Sequence, residues 1–576
     1  MVEISSLTKL SEALKDLRFV FSQPDFTAAD AQRTRVIHKL DNHVLPRLRN
    51  LEAPLICVVA GSTGSGKSTL VNSLLETNVA TSSAVRPTTR RPLLLHSVQD
   101  TQWFKAGSPI LPQLAKVEVA AEAPPTPAHV GTHQEIEIRT NAKLPAGLAL
   151  LDAPDFDSLA TENRVLARQL LDVADMWVFV TTATRYADAV PWEVLREAKA
   201  RNITLAVVLN RTPLAAAGEV STDLSRLLTE AGLENLPLWV IPEVSLESGR
   251  IPPSQVQPLL RWLDSHTLDS HLRIATAMRA LLGTARVLTA DARAVRQVAS
   301  KQQELLTEAR LVAHQQIEKA VEQVSQASAN GSLLQGEVLA RWQELVGVSE
   351  LSQLIEKGLS LFKFKVKSFF TGQKPQVESV EVALESGLAA VIAAELLAAQ
   401  RRLRGQWQAS PYLQVFAEQM ADFSPAQIES QAQRLTIRWQ RELLEMIRSE
   451  GGSKRTTARV MAAGVNLLGV ALMIVIFAST GGLTGAELGV AGTTSVVAQK
   501  LLEVIFGEQA VKSMTKRAHV KLVELVAEFY SQEFTTVVQA IPEPVEIDAL
   551  TAAIFGAEAT VRELEFEVRS RLGERL

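Results

Sequence analysis

One run of this chain combines glycines, a lysine and hydroxyls at a spacing that carries chemistry: Gly61-Ser62-Thr63-Gly64-Ser65-Gly66-Lys67-Ser68-Thr69. It fits G-x-x-x-x-G-K-[ST], the pattern of loops that cradle phosphates. The glycines let backbone N–H groups approach phosphate oxygens, and a helix starting there adds unpaired donors and the positive end of its dipole. Lys67 has the reach to meet β- and γ-phosphates, and the Ser68 hydroxyl suits Mg²⁺. A chance glycine-rich turn would not need the flanks this run has. Leu55-Ile-Cys-Val-Val-Ala60 reads as a buried strand before it, and Leu70-Val-Asn-Ser-Leu-Leu75 as the start of a helix after it. The chemistry implied is binding of a nucleoside triphosphate.

Hydrolysis asks for two further groups, a threonine on a loop and an aspartate after a strand, and both follow in order. Ala84-Val-Arg-Pro-Thr88-Thr89-Arg-Arg-Pro92 supplies Thr89, with Thr88 beside it, to close on Mg²⁺ and the γ-phosphate. Leu148-Ala-Leu-Leu-Asp152 ends a strand in Asp152, suited to hold Mg²⁺ through water. Lys67, Thr89 and Asp152 are thus the expected catalytic residues, and Ser68, Thr89 and Asp152 the expected metal set. The binding set is 61–69 together with Asn210 and Arg211, which follow the strand Leu205-Ala-Val-Val-Leu209. There Asn210 can meet the base and Arg211 can stack over it.

Thr89-Arg90-Arg91-Pro92 resembles the switch-one sequence of dynamin-type GTPases, and Asp152-Ala153-Pro154 resembles their Asp-x-Pro-Gly. Ala174-Asp-Met-Trp-Val-Phe-Val180, Arg185-Tyr-Ala-Asp-Ala-Val-Pro-Trp192 and Gly336-Glu-Val-Leu-Ala-Arg-Trp342 are similar to the bacterial, actinobacterial-type dynamin-like family. The resemblance implies GTP with Mg²⁺, a helical stalk, anionic membrane lipid as a partner, and a homodimer or a hetero-assembly with a related GTPase. The basic flank Lys454, Arg455 and Arg459 of the apolar run 460–486 points to a place at the cytosolic face of the cell membrane. The chain departs from the pattern at named positions. Asp155 stands where such GTPases usually have glycine, and Thr63 and Gly64 where dynamins carry catalytic polar residues. Asn210-Arg211-Thr212-Pro213 lacks the aspartate of Asn-Lys-x-Asp, so guanine preference is carried by the resemblance. Glu243 and Ser245 are either substitutes for that aspartate or ordinary loop residues.

The elements that must hold these groups follow from apolar patterning. Strand-like runs at 55–60, 147–151, 176–181, 203–209 and 238–241 alternate with helical stretches, the rhythm of a mostly parallel sheet with helices on both faces. Beyond 268 the pattern becomes helical: 268–328 contains no proline and repeats apolar positions, with Gly283 as the place for a bend. Further helical stretches occupy 333–361, 376–407, 425–448 and 511–574, expected as a coiled-coil-like stalk or bundle. The fold class expected is an α/β P-loop domain plus a large all-α part with a hydrophobic, membrane-type segment. The divisions are 1–50 for N-terminal helices packing on the stalk or nucleotide domain, 51–266 for the nucleotide domain, 267–450 for the stalk, 451–507 for the hydrophobic segment and 508–576 for C-terminal stalk helices.

Two stretches of the helical half are unusual. Phe362-Lys-Phe-Lys-Val-Lys367-Ser-Phe-Phe370 interleaves aromatics with lysines, either to touch an anionic membrane or as a solvated helix end. The run 460–486 carries no charge, follows Lys454, Arg455 and Arg459, and is long enough to span a bilayer. It is either a span or re-entrant hairpin, turning near Gly481-Gly482, or a hydrophobic hairpin buried between helices.

At 576 residues the chain needs several cores. Lys+Arg 59 against Asp+Glu 63 leaves a net charge of -4, so no nucleic acid partner is expected. Cys57, the single cysteine, excludes an internal disulfide framework and reads as a core residue. Lys9, Glu12, Lys15 and Asp16 interrupt any early apolar run, so no signal peptide is expected. A regulatory scaffold with little turnover and a ribosome-associated GTPase are the alternative functions. The second would call for a small basic RNA-binding domain, which the long neutral helices do not supply. Lys67→Ala removes the charge aimed at the β- and γ-phosphates, so calorimetry with and without Mg²⁺ should find triphosphate binding abolished; undiminished affinity would remove the phosphate-loop assignment.

Overall fold

Three central strands are buried along their whole length, as parallel strands covered on both faces must be: β1 (Leu55–Gly61), β5 (Leu148–Asp152) and β6 (Met176–Thr182). The computed structural model describes residues 4–80, 91–127, 132, 134–155, 161–234, 236–267, 269–334, 337–346, 374–450, 460, 463–478, 491–544 and 547–573. They fall into two compact units, Met1–Lys301 with Val545–Leu576, and Gln302–Pro544.

In the first unit, β1, β5 and β6 join β2 (Leu93–His96), β3 (Ala115–Glu118), β4 (Glu135–Thr140), β7 (Thr204–Thr212) and β8 (Leu238–Pro242). The sheet order is β3-β4-β2-β5-β1-β6-β7-β8. Every neighbouring pair is parallel except β2 and β5. This is the mostly parallel α/β sheet that the alternation of apolar runs predicts. Successive residues of a strand face opposite ways, so β1 feeds two cores at once. Ile56 and Val58 pack with Leu170, Leu195 and Leu224 from one helical layer, whereas Cys57 and Val59 pack with Leu70, Leu74 and Leu259 from the other. Cys57 is fully buried, and burial, with Asp175 nearby, raises its thiol pKa; it is an inert core residue.

The helices Ser5–Asp16 and Pro24–Lys39 cover a third core in this unit. Leu7, Leu10, Leu14 and Val36 meet Leu281, Leu288 and Val295 of the long helix Ser270–Ala327, and Ile554, Ala557 and Leu564 of the helix Ile547–Leu572. A bidentate ion pair ties these helices to the sheet. Buried Arg47 donates to Asp175 at 3.2 and 3.0 Å, and the same carboxylate accepts the Ile56 amide at 2.8 Å. Removing either partner would strand a buried charge, which costs about 3–5 kcal/mol. The 58-residue helix Ser270–Ala327 continues through Gly283. Glycine serves a close approach there rather than a bend, because a Cβ would lie 1.6 Å from the Arg201 carbonyl oxygen.

The second unit is helical. Its core is rich in aromatics, with Trp342, Trp407, Trp439, Tyr530, Phe477 and Phe534 buried. Two of their polar atoms are satisfied by helix carbonyls: Trp439 Nε1 donates to Ala518 at 2.9 Å and Tyr530 Oη to Ile392 at 2.7 Å. The charge-free run 460–486 enters this unit as the helix Val465–Ala478, 14 residues long. Gly464 (φ +85) stands just before it. Ten of its residues are buried, and Phe477 stacks on Trp439 with ring centroids 5.9 Å apart. Within the described residues its packing against Trp439 is that of a core helix. Lys454, Arg455, Arg459, Gly481, Gly482 and the 362–370 segment lie outside the described residues. Among the described residues one helix, Val377–Ala409, is long and apolar enough to cross a membrane by length and composition. Its Leu384, Leu388, Ile392, Leu396 and Leu403 are nevertheless buried in the second unit.

On that same helix, buried Glu381 accepts a hydrogen bond from Gln440 of the helix Pro425–Ser449. Burial, then Glu385 and Glu378 nearby, push its pKa up to about 7 from 4.5. A carboxyl with a raised folded-state pKa binds its proton more tightly in the folded protein. Its ionisation therefore costs stability above about pH 7, and that cost fades as pH falls toward the unfolded value. Glu381→Gln should accordingly raise the melting temperature of this unit near about pH 8 and lose the advantage by about pH 5, as calorimetric melts across pH would read. Parallel curves for the two proteins would show that Glu381 is not a cost at all.

Candidate nucleotide site

The site lies at the carboxyl ends of β1, β5, β6 and β7, where open parallel sheets bind ligands. Register brings the named residues there. Asp152 pairs beside Val59, Gly61 beside Val180, and Asn210 beside Thr182. After Gly61 the chain loops through residues 62–66 into the helix Lys67–Leu74, with Gly66 as its N-cap at φ +90. A Cβ on Gly66 would sit 2.4 Å from Asn210 Nδ2, and one on Gly61 2.2 Å from the Val180 carbonyl oxygen. Both glycines are required by the room available.

Lys67 is 6% exposed, and its ammonium is enclosed by the loop. It donates to the carbonyls of Gly61 at 3.0 Å and Ser62 at 3.2 Å, and to the Asp155 carboxylate. The Ser68 hydroxyl donates to Asp152 Oδ2 at 2.7 Å. Burial, augmented by the negative charge of Asp155, pushes the Asp152 pKa up to about 6, against the opposing pull of Ser68 and Lys67. Asp152 Oδ1, Ser62 Oγ and Ser65 Oγ are buried without a hydrogen-bond partner among the described residues. Orphaned polar atoms of this kind usually mark the place of a ligand, ion or water. A hydroxyl and a carboxylate in contact are also a hard-oxygen pair suited to Mg²⁺. The donor set fits a phosphate–metal group.

Asn210 is buried under the loop, donating from Nδ2 to the Ser65 carbonyl at 2.8 Å and accepting the Arg211 amide at 3.0 Å on Oδ1. Arg211 has φ 51, and its exposed side chain passes beside Gly66. The Glu243 amide donates to the Thr212 carbonyl at 2.9 Å, which sets exposed Glu243 alongside the Thr212-Pro213 stretch where the base-reading aspartate would stand. The structure therefore brings Lys67, Ser68, Asp152, Asn210 and Arg211 together; Thr88 and Thr89 lie outside the described residues.

Three contacts have no counterpart in the sequence pattern. Arg185, on the turn after β6, donates to the Thr63 carbonyl at 2.8 Å and steadies the loop tip. Asn72 accepts the amides of Val79 and Ala80 at 3.0 and 2.8 Å and donates to the Ala80 carbonyl at 2.8 Å, fixing the chain just before residue 81. The Asp155–Lys67 pair is the third. In the sequence Arg185 stands out only as the first residue of the family-like run 185–192, with nothing to tie it to Thr63.

Residues 57–212 match the family model described as the dynamin family. Two solved structures are similar over nearly the whole chain; both are described as an oligomerised bacterial dynamin pair for long-range sensing and tethering of membranes. One is 11% identical with a TM-score of 0.36, covering 98% of this chain and 95% of its own. The other is 10% identical at 0.34, covering 97% and 95%. No curated protein matches.

Asn210→Ala would leave the Ser65 carbonyl and the Arg211 amide unpartnered in or beside the buried loop. Thermal melts should show a loss of about 1–3 kcal/mol, and titration a nucleotide affinity down roughly tenfold, with the fold retained. Wild-type affinity in that variant would remove Asn210 from the site.

Proposed function

Starting from the dynamin-family domain at residues 57–212, which makes this chain a GTP-hydrolysing enzyme, we propose a membrane-associated, Mg²⁺-dependent GTPase that couples hydrolysis to rearrangement of its helices and to self-assembly. The observation that carries the reading is the Lys67–Ser68–Asp152 cluster with its three orphaned polar atoms. In this reading the Lys67–Leu74 helix N-terminus and Lys67 bind the β- and γ-phosphates, while Ser68 and Asp152, with Thr89, hold the metal. Mg²⁺ when bound would neutralise charge on the transferring phosphoryl group. Asn210 keeps the loop in shape, and Arg211, beside Gly66, is assigned the stacking on the base. Guanine selection is assigned to Glu243, because its amide bonds the Thr212 carbonyl and so sets the residue beside the stretch that lacks the aspartate.

Membrane association rests on composition. The helix Val465–Ala478 has no charged residue, and within its unit it is covered by neighbouring helices that would have to part to present it to lipid. In this reading the nucleotide state governs that parting, and anionic membrane at the cytosolic face is the surface it meets. Assembly into a homodimer or with a related GTPase, as the route to full turnover, and membrane remodelling as the output belong to the same proposal.

Turnover should exceed that with ATP when GTP is supplied, rise with protein concentration, and rise again on anionic liposomes, with which the chain should co-sediment. Thr89→Ala and Asp152→Ala should keep part of the nucleotide affinity and lose most of the turnover. GTP binding without turnover under any lipid or concentration would leave a regulatory scaffold instead.

A further inference from the structure

Two carboxylates bracket the phosphate loop, and only one has an evident task. Asp152 ends β5 and meets Ser68, as a metal-side aspartate should. Asp155 lies three residues on, where the resembling GTPases place glycine, and its carboxylate is on the Lys67 ammonium. The local chain explains how it gets there. The Ala153 amide stays bonded to the Val59 carbonyl at 3.4 Å, holding the chain beside β1 past the end of β5. Pro154 then fixes its own φ and keeps Ala153 extended. The next side chain, Asp155, is delivered across the loop.

The pair has a cause of its own. Lys67 is 6% exposed, and besides this carboxylate its ammonium has two carbonyls as partners. With carbonyls alone the buried ammonium has no counter-charge in contact, Asp152 acting on it only through space, whereas the Asp155 carboxylate supplies one directly. A nucleotide phosphate would supply the same thing to the same atom. Two anions cannot share Lys67 without repelling each other at contact distance.

We propose that Asp155 is an internal anionic occupant of the phosphate loop. Nucleotide binding is then an exchange in which the β- and γ-phosphates take Lys67 from Asp155 and expel the carboxylate toward solvent. The proposal rests on the nucleotide reading of this site and deepens it. Asp155 restrains affinity, and once the γ-phosphate has left, it competes again with the β-phosphate for Lys67 and hastens loss of the diphosphate. Its role differs from that of the glycine it replaces, which could only donate its amide to the γ-phosphate.

The test uses Asp155→Asn and Asp155→Gly in the full chain, with GTP and GDP titrated with and without Mg²⁺. Melts without nucleotide and stopped-flow release of a fluorescent GDP complete it. Both variants should bind GTP and GDP more tightly, by about tenfold or more, the scale of one charge-assisted hydrogen bond. They should release GDP more slowly. Without nucleotide both should melt below wild type, because Lys67 loses its counter-charge. That opposite movement is the signature, since a merely structural residue would lower stability and affinity together. Equal or weaker binding by both variants, beside a wild type that binds, overturns the role of Asp155 and leaves the site assignment standing. A wild type that binds neither GTP nor ATP overturns the nucleotide reading, and this inference falls with it.

Discussion

A lysine ammonium removed from water must be given oxygens. Around Lys67 that demand shapes the surrounding chain: the carbonyls of Gly61 and Ser62 turn inward to it, and the Asp155 carboxylate closes on it. The loop can turn so tightly because two of its glycines leave room that a Cβ would fill. Asn210 holds it from beneath and Arg185 at the tip. The sheet serves this arrangement by ending four parallel strands at one edge, so that residues distant in sequence converge on one charge.

The same principle recurs where the terminal helices join the sheet. Arg47 is buried with Asp175, and the carboxylate also takes the Ile56 amide of β1 into its network. A bidentate pair has defined geometry as well as charge, so it sets the angle at which the N-terminal helices leave the strand. The phosphate loop follows at the other end of that strand. β1 is thus held at both ends by buried cations.

Much of the site was legible because its chemistry is local. Glycine spacing, Lys67 and Ser68 are adjacent in sequence, and Asp152 and Asn210 each end an apolar run that could only be a strand. The contacts that escaped are tertiary. No spacing rule connects Asp155 to Lys67, Arg185 to Thr63, or Asn72 to Ala80, because each depends on how a turn lies against a distant loop. Helical periodicity likewise marks 511–574 as amphipathic without saying that the last helix in it, Ile547–Leu572, has the first helices of the chain as partners. For the charge-free run, composition measures how strongly residues avoid water and is indifferent to whether protein or lipid replaces it. Its helix Val465–Ala478 follows Gly464 (φ +85) and packs on Trp439.

Gly283 has a mechanical consequence. The atom that occupies the place of its missing side chain is the carbonyl oxygen of Arg201, at the end of the helix Ala189–Ala200. A side chain in that position could change rotamer and let the two elements slide; a main-chain carbonyl has no such freedom. The Arg201 guanidinium reinforces the contact, donating to Thr284 Oγ1 at 3.2 Å and to the Leu171 and Asp172 carbonyls at 3.0 and 2.6 Å. The long helix is therefore pinned to the nucleotide domain at a point with almost no play. A larger residue at 283 would therefore have to push the end of the Ala189–Ala200 helix away from the long helix, since no side chain there can turn aside to make room.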